Sequence, residues 1–155
     1  MSTKQPQPLH AQQHTFTLRI ERTIKAPRTR VFEAFTNDAD LARWSSPKGL
    51  GVAQGSTDLR VGGRWMVVMH DPASDRRYHA EGEYREITPP ERLVYTHYWL
   101  TDETPVETLI TIELHEEGDA TRVVMIHEGL LTESSRDAHR TGWSSCIDKL
   151  EEMFA

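Results

Sequence analysis

A single cysteine, Cys146, stands among 155 residues, so no intrachain disulfide can form. A reducing, cytoplasmic setting is the simpler expectation. Long hydrophobic runs are missing too. The longest purely apolar stretch, Trp65 to Met69, falls far short of the roughly 20 residues of a membrane span. Residues Met1 to His14 hold no hydrophobic segment of the secretory type. Positive charge is scarce, with 18 Lys and Arg against 24 Asp and Glu, a net charge of −6, and no basic cluster longer than Arg76 and Arg77. That balance argues against a nucleic-acid partner. There is no internal repeat, and no compact metal-ligand spacing such as a His pair at i and i+4 links His97, His127 and His139, so neither a metal nor a cofactor is expected.

What is present is organised around the last stretch, Ser134 to Ala155. His139, Gly142, Trp143, Cys146, Ile147, Leu150, Met153 and Phe154 recur at three- and four-residue steps and fall on one stripe of a helix. Ser134 followed by Asp137 has the form of a capping box at its start. The C-terminal half of the stripe is aliphatic and suits a core. The N-terminal half carries His139, Gly142, Trp143 and Cys146, which suit the lid of a pocket.

The chain before it reads in order. Met1 to His14, with Pro6, Pro8 and four glutamines, is expected to be a disordered polar tail. A single domain then spans 15–155. Phe16, Leu18, Ile20 and Ile24 alternate with polar residues as in a half-buried strand. Ala26-Pro27 stops that strand and opens a helix with Val31, Phe32 and Phe35 on its buried face. Asn37 and Asp38 end it and cap a second short helix bearing Leu41 and Trp44. Ser45 to Gly55 reads as a loop or at most a short edge strand, and Asp58 to Val61 as strand-like ahead of a Gly62-Gly63 turn. Arg64 to His70, apolar on both faces, predicts a central strand. Arg77 to Ile87, Arg92 to Leu100, Val106 to Leu114 and Thr121 to Glu128 follow, joined by short turns. Short turns imply an antiparallel meander, and one long amphipathic helix implies one covered face. A twisted sheet wrapped around one helix leaves room for a cavity.

Four segments resemble a known family: Ala26-Pro27-Arg28 with Val31 to Thr36, Val61-Gly62-Gly63-Arg64-Trp65, Pro89-Pro90-Glu91-Arg92-Leu93-Val94-Tyr95, and Gly142-Trp143. Together they are similar to proteins like the C-terminal domain of the activator of the Hsp 90 ATPase, within the helix-grip START and Bet v 1 (SRPBCC) superfamily. The resemblance covers Phe16 to Ala155. It implies an α+β helix-grip fold, with a curved antiparallel sheet of six to seven strands gripping the C-terminal helix around an apolar ligand cavity. It implies no shared catalytic residue. The eukaryotic co-chaperone has a separate N-terminal domain that contributes to chaperone binding. About a dozen polar residues stand in that place here, which weighs against a chaperone partner. A homodimer is compatible with the family, although no exposed apolar patch in the sequence demonstrates one.

The expected ligand-binding set is Trp44, Trp65, Tyr95, His97, Trp99, Met125, His127, His139 and Trp143. Aromatics would wall a flat or hydrophobic small molecule, and the histidines would orient it. Large apolar residues belong inside any core, so the set carries more weight than its members. His97, His127 and His139, if they converge, could form an acid and base pair, which would suit an enzyme of the polyketide cyclase or hydrolase type that the superfamily includes. A surface interaction module is the third alternative. Glu81 or Glu83 would serve as a general base only if the strand turned it inward, and their parity is open. Cys146 reads as an inert buried thiol.

Overall fold

A computed structural model describes residues 14–155. The expected tail falls on residues 1–13, outside the described residues, and on His14. The elements run β1 (Phe16–Ile24), α1 (Arg28–Thr36), α2 (Asp38–Trp44), β2 (Gly51–Thr57), β3 (Arg64–Asp71), β4 (Arg76–Thr88), β5 (Arg92–Trp99), β6 (Thr108–Glu117), β7 (Ala120–Leu130) and α3 (Glu133–Met153). Seven strands form one antiparallel sheet in the order β1-β7-β6-β5-β4-β3-β2. Successive strands are neighbours from β2 to β7, as short turns require, and β1 closes the far edge against β7. This is the α+β helix-grip architecture, with α3 laid across the inner face.

Alternation explains the core. Leu18, Ile20 and Ile24 of β1 are buried between exposed Thr17, Arg19, Glu21 and Thr23. On β5 to β7 the inward row Leu93, Ile110, Ile112, Val123 and Met125 meets Ile147 and Leu150 of α3. Val31, Phe32 and Phe35 of α1 close the same core from the side. Asn37 ends α1 and begins α2, its side chain accepting from the Asp40 backbone N–H at 3.1 Å. Arg30 then donates two hydrogen bonds to the Asp40 carboxylate, at 2.7 and 3.1 Å, and clasps the two helices together.

Three sequence expectations are corrected. Residues Gly51–Thr57 form the edge strand β2, and Asp58 to Val61 form the loop after it. The glycines of Gly51 and Gly55 are tolerated in β2 because an edge strand packs few side chains. β3 is not central but next to that edge, and its two apolar faces are covered unevenly. The α3 cap is Thr132, two residues before Ser134, and its hydroxyl accepts from the Ser135 N–H at 3.0 Å. Asp137 instead accepts from the neighbouring Arg136 side chain. A cap needs extended backbone, which Thr132 has and the helical Ser134 lacks. Thr132→Ala should therefore cost about 1 kcal/mol in urea unfolding, whereas Ser134→Ala should cost close to none. Equal effects would return the cap to Ser134.

Candidate functional site

Between α3, α2 and the inner face of β2 to β5 lies a cavity of about 340 Å³, within the range of small-molecule sites. Its floor is the row Trp65, Tyr84, Tyr95, His97 and Trp99, placed on one face by the two-residue period of β3, β4 and β5. Its roof is the first half of α3: Ala138, His139, Gly142, Trp143 and Cys146. Phe35, Leu41 and Trp44 close one side, and Val52, Val67 and Met69 the other. Gly142 is the gap in the roof, because a Cβ built there meets nothing within 4 Å. The mouth lies where exposed residues of α2 and β2, Asp38, Ala42, Gly55 and Ser56, line the same space.

Of the nine residues expected from sequence, seven line this cavity: Trp44, Trp65, Tyr95, His97, Trp99, His139 and Trp143. Met125 and His127 do not. Both sit on β7 behind the cavity, fully buried, and Met125 belongs to the aliphatic core. Alternation assigns a face and not a depth, so it could not separate them. Sequence reasoning passed over Tyr84, Val52, Val67, Met69, Phe35 and Leu41. For Tyr84 a signal existed, since Ala80, Gly82 and Tyr84 share a parity and all three are buried. The same parity turns Glu81 and Glu83 to the outer face, where Glu81 accepts from Tyr98 and Arg64. No carboxylate of β4 enters the cavity.

Every indole N–H is engaged. Trp44 donates to the Ala34 carbonyl at 2.8 Å and Trp65 to the Thr96 carbonyl at 3.0 Å. Trp99 donates to His139 Nε2 and Trp143 to His127 Nδ1, each at 3.1 Å. These donors settle the imidazole protonation. His139 keeps its proton on Nδ1, facing the Ser135 carbonyl at 2.7 Å. His127 keeps its proton on Nε2 and donates to Thr108 Oγ1 at 2.7 Å, and the Thr108 hydroxyl in turn donates a hydrogen bond to the His97 carbonyl at 2.8 Å. A chain of three hydrogen bonds thus ties α3 through β7 and β6 to β5.

The three histidines converge, with ring centroids 5.0 Å apart for His127 and His139, 5.3 Å for His97 and His127, and 6.3 Å for His97 and His139. Among the described residues no group of three or more His, Cys, Asp or Glu side chains is placed to hold a metal ion. Burial pushes His97 down to about 3, helped by the neighbouring His139. Burial likewise holds His127 well below the usual histidine range, with His97 and His139 adding to the effect. Both are neutral at any physiological pH. Burial also raises the Cys146 thiol to about 12, which removes thiolate reactivity. Tyr84 and Tyr95 are raised for the same first reason and stay protonated.

The profile of one family, described as "Activator of Hsp90 ATPase homolog 1-like protein", matches residues 25–155. The chain belongs to this family. Solved structures agree with the assignment. Protein CV1439 from Chromobacterium violaceum is 27% identical, with a TM-score of 0.83 over 89% of this chain and 96% of that one. The AHSA1 protein from Silicibacter pomeroyi is 26% identical, with a TM-score of 0.79 over 89% and 96%. Protein NE0264 from Nitrosomonas europaea is 27% identical, with a TM-score of 0.74 over 88% and 92%. No functionally curated protein matches the chain. Family membership carries the helix-grip fold of the SRPBCC superfamily, whose members commonly bind ligands, and it names no reaction. Among the described residues no helix is long and apolar enough to cross a membrane.

Proposed function

We propose that the protein binds a small, largely apolar molecule between α3 and the sheet. The carrying observation is the cavity of about 340 Å³ under Gly142, walled by the rings of Trp65, Tyr95, Trp99 and Trp143. A domain that needed only a surface would gain stability by filling this volume, at about 24 cal/mol per Å³ of cavity left open. Aromatic walls favour a flat partner, because ring faces and edges attract one another beyond plain area burial.

An enzyme of the cyclase or hydrolase type draws less support. His127 and His139 each give one ring nitrogen to an indole donor and the other to a fixed acceptor, which leaves neither free to carry a proton.

Gly142→Phe tests the binding reading. The new ring enters open space, and replacing a mid-helix glycine favours α3 by about 0.5 kcal/mol or more, so folding should survive. Binding of a neutral fluorescent hydrophobic probe such as N-phenyl-1-naphthylamine, or of any compound that raises the melting temperature, should fall at least about tenfold, a loss of about 1.4 kcal/mol. Unchanged binding in a folded Gly142→Phe protein would move the site elsewhere.

A further inference from the structure

The cavity is not uniformly apolar, and its unpaired polar atoms say what kind of ligand it suits. The indole donors are all engaged, as is each nitrogen of His127 and His139. The Tyr84 and Tyr95 hydroxyls are different. Neither has a hydrogen-bond partner among the described residues, and neither oxygen is sealed off, since the only sealed and unpaired side-chain atoms there belong to Arg28 and His79. Both rings line the cavity, 6.1 Å apart between centroids and set edge to face. Two hydroxyls without a partner thus belong to side chains that line one space. Both phenols remain protonated because burial disfavours the phenolate, so both are donors.

Charge narrows the choice further. Among the described residues no lysine or arginine lines the cavity, and its one ionisable carboxylate is Asp38 at the mouth. An anionic ligand would enter past a negative group into a space with no counter-ion, losing hydration without recompense. A pure hydrocarbon would leave two donors dry, and an unsatisfied buried hydroxyl costs about 1–3 kcal/mol.

We infer that the cavity takes a neutral, flat molecule that carries an acceptor oxygen, of the ketone or quinone class, and that Tyr95 and Tyr84 donate to that oxygen. This rests on the binding reading above and adds the ligand chemistry to it. His97, whose ring touches Trp65 and Trp99 and makes no hydrogen bond to another of the described residues, borders the same space.

Three probes of one shape decide the point: 9-fluorenone, fluorene and fluorene-9-carboxylate, titrated by calorimetry into the wild type, Tyr95→Phe and Tyr84→Phe. Fluorenone is expected to bind about tenfold more tightly than fluorene, as one or two neutral hydrogen bonds allow, with the carboxylate weakest. Tyr95→Phe and Tyr84→Phe should each reduce that preference while leaving fluorene affinity unchanged. The carbonyl stretch of bound fluorenone should lie below its value in hexane and return towards it in Tyr95→Phe. That infrared readout, together with Tyr84→Phe, decides the matter if Tyr95→Phe does not fold. Equal binding of ketone and hydrocarbon, tightest binding of the carboxylate, or a preference retained in both phenylalanine variants would each overturn the inference and leave the cavity as an apolar site. If none of the three probes binds and Gly142→Phe also changes nothing, the binding reading falls with it.

Discussion

Gly82→Ala should destabilise the protein by about 3 kcal/mol or more, the largest effect expected of any single methyl group here. Gly82 sits in β4 opposite Trp65 of β3, and the Trp65 indole crosses over it to donate to the Thr96 carbonyl of β5. A Cβ at Gly82 would overlap the Thr96 carbonyl oxygen, lie 2.6 Å from the Thr96 carbonyl carbon and 2.7 Å from Trp65 Nε1. Two of those three atoms are backbone in the middle of a sheet, so no rotamer change relieves the clash. β4 and β5 are already irregular there, with a register shift between Tyr84 and Glu86 and the Thr96 hydroxyl accepting from the Glu83 N–H at 2.9 Å. The strands must part, and the Trp65 hydrogen bond, worth about 1 kcal/mol, goes with them. Urea unfolding followed by tryptophan fluorescence measures both the loss and the release of Trp65. A midpoint equal to that of the wild type would show that the crossing is not rigid.

Acid should destabilise the protein well before its carboxylates are protonated. His97 falls to about 3 in the folded state and His127 lies well below 6.5, while both return to about 6.5 when unfolded. Below pH 6.5 the unfolded chain therefore binds two protons that the folded chain refuses, and stability rises with pH across that window. The contribution is fully present above about pH 6.5 and is lost as pH falls from there towards 3. Each neutral buried histidine gives a slope approaching about 1.4 kcal/mol per pH unit below 6.5, so His97 alone removes about 2 kcal/mol by pH 5 and His127 adds to it. That is a large part of the 5–15 kcal/mol typical of a domain. Glu21 and Asp75, lowered by their Arg and His partners, begin to lose their contributions only below the ordinary carboxylate range, so the slope between pH 6.5 and 5 belongs to the histidines. Denaturant unfolding at pH 7, 6 and 5 should show the slope, and His97→Leu should lower it by about 1.4 kcal/mol per unit. A stability that stays flat from pH 7 to 5 would mean that protonated histidines fit inside.

The same two histidines mark how far the sequence could be read. On β5 the alternation of Leu93, Tyr95, His97 and Trp99 placed all four on one face, and they are there. On α3 the three- and four-residue steps put His139, Gly142 and Trp143 on the stripe above them. Neither pattern reveals that Trp99 pairs with His139, or Trp143 with His127, because those bonds join residues 40 and 16 positions apart. Such contacts depend on how far α3 slides along the sheet, which side-chain periodicity leaves open. Met125 and His127 have the right parity but are fully buried and do not line the cavity, a difference of depth that alternation does not encode. The sequence leaves β2 open between a loop and a short edge strand because glycine-rich segments have weak strand propensity, and its pairing with β3 supplies what propensity withholds.

By itself, the sequence determined the order of elements, the antiparallel meander, the gripping helix and the family, because period-2 and period-3.6 patterns and local turn chemistry are written in neighbouring residues. Only the tertiary structure decided which rings wall an empty space, which imidazoles are locked neutral, and which two hydroxyls are left without partners. Those outcomes depend on distances across strands and between sheet and helix, and a hydrogen bond formed or missed there turns on a fraction of an ångström that no local pattern encodes.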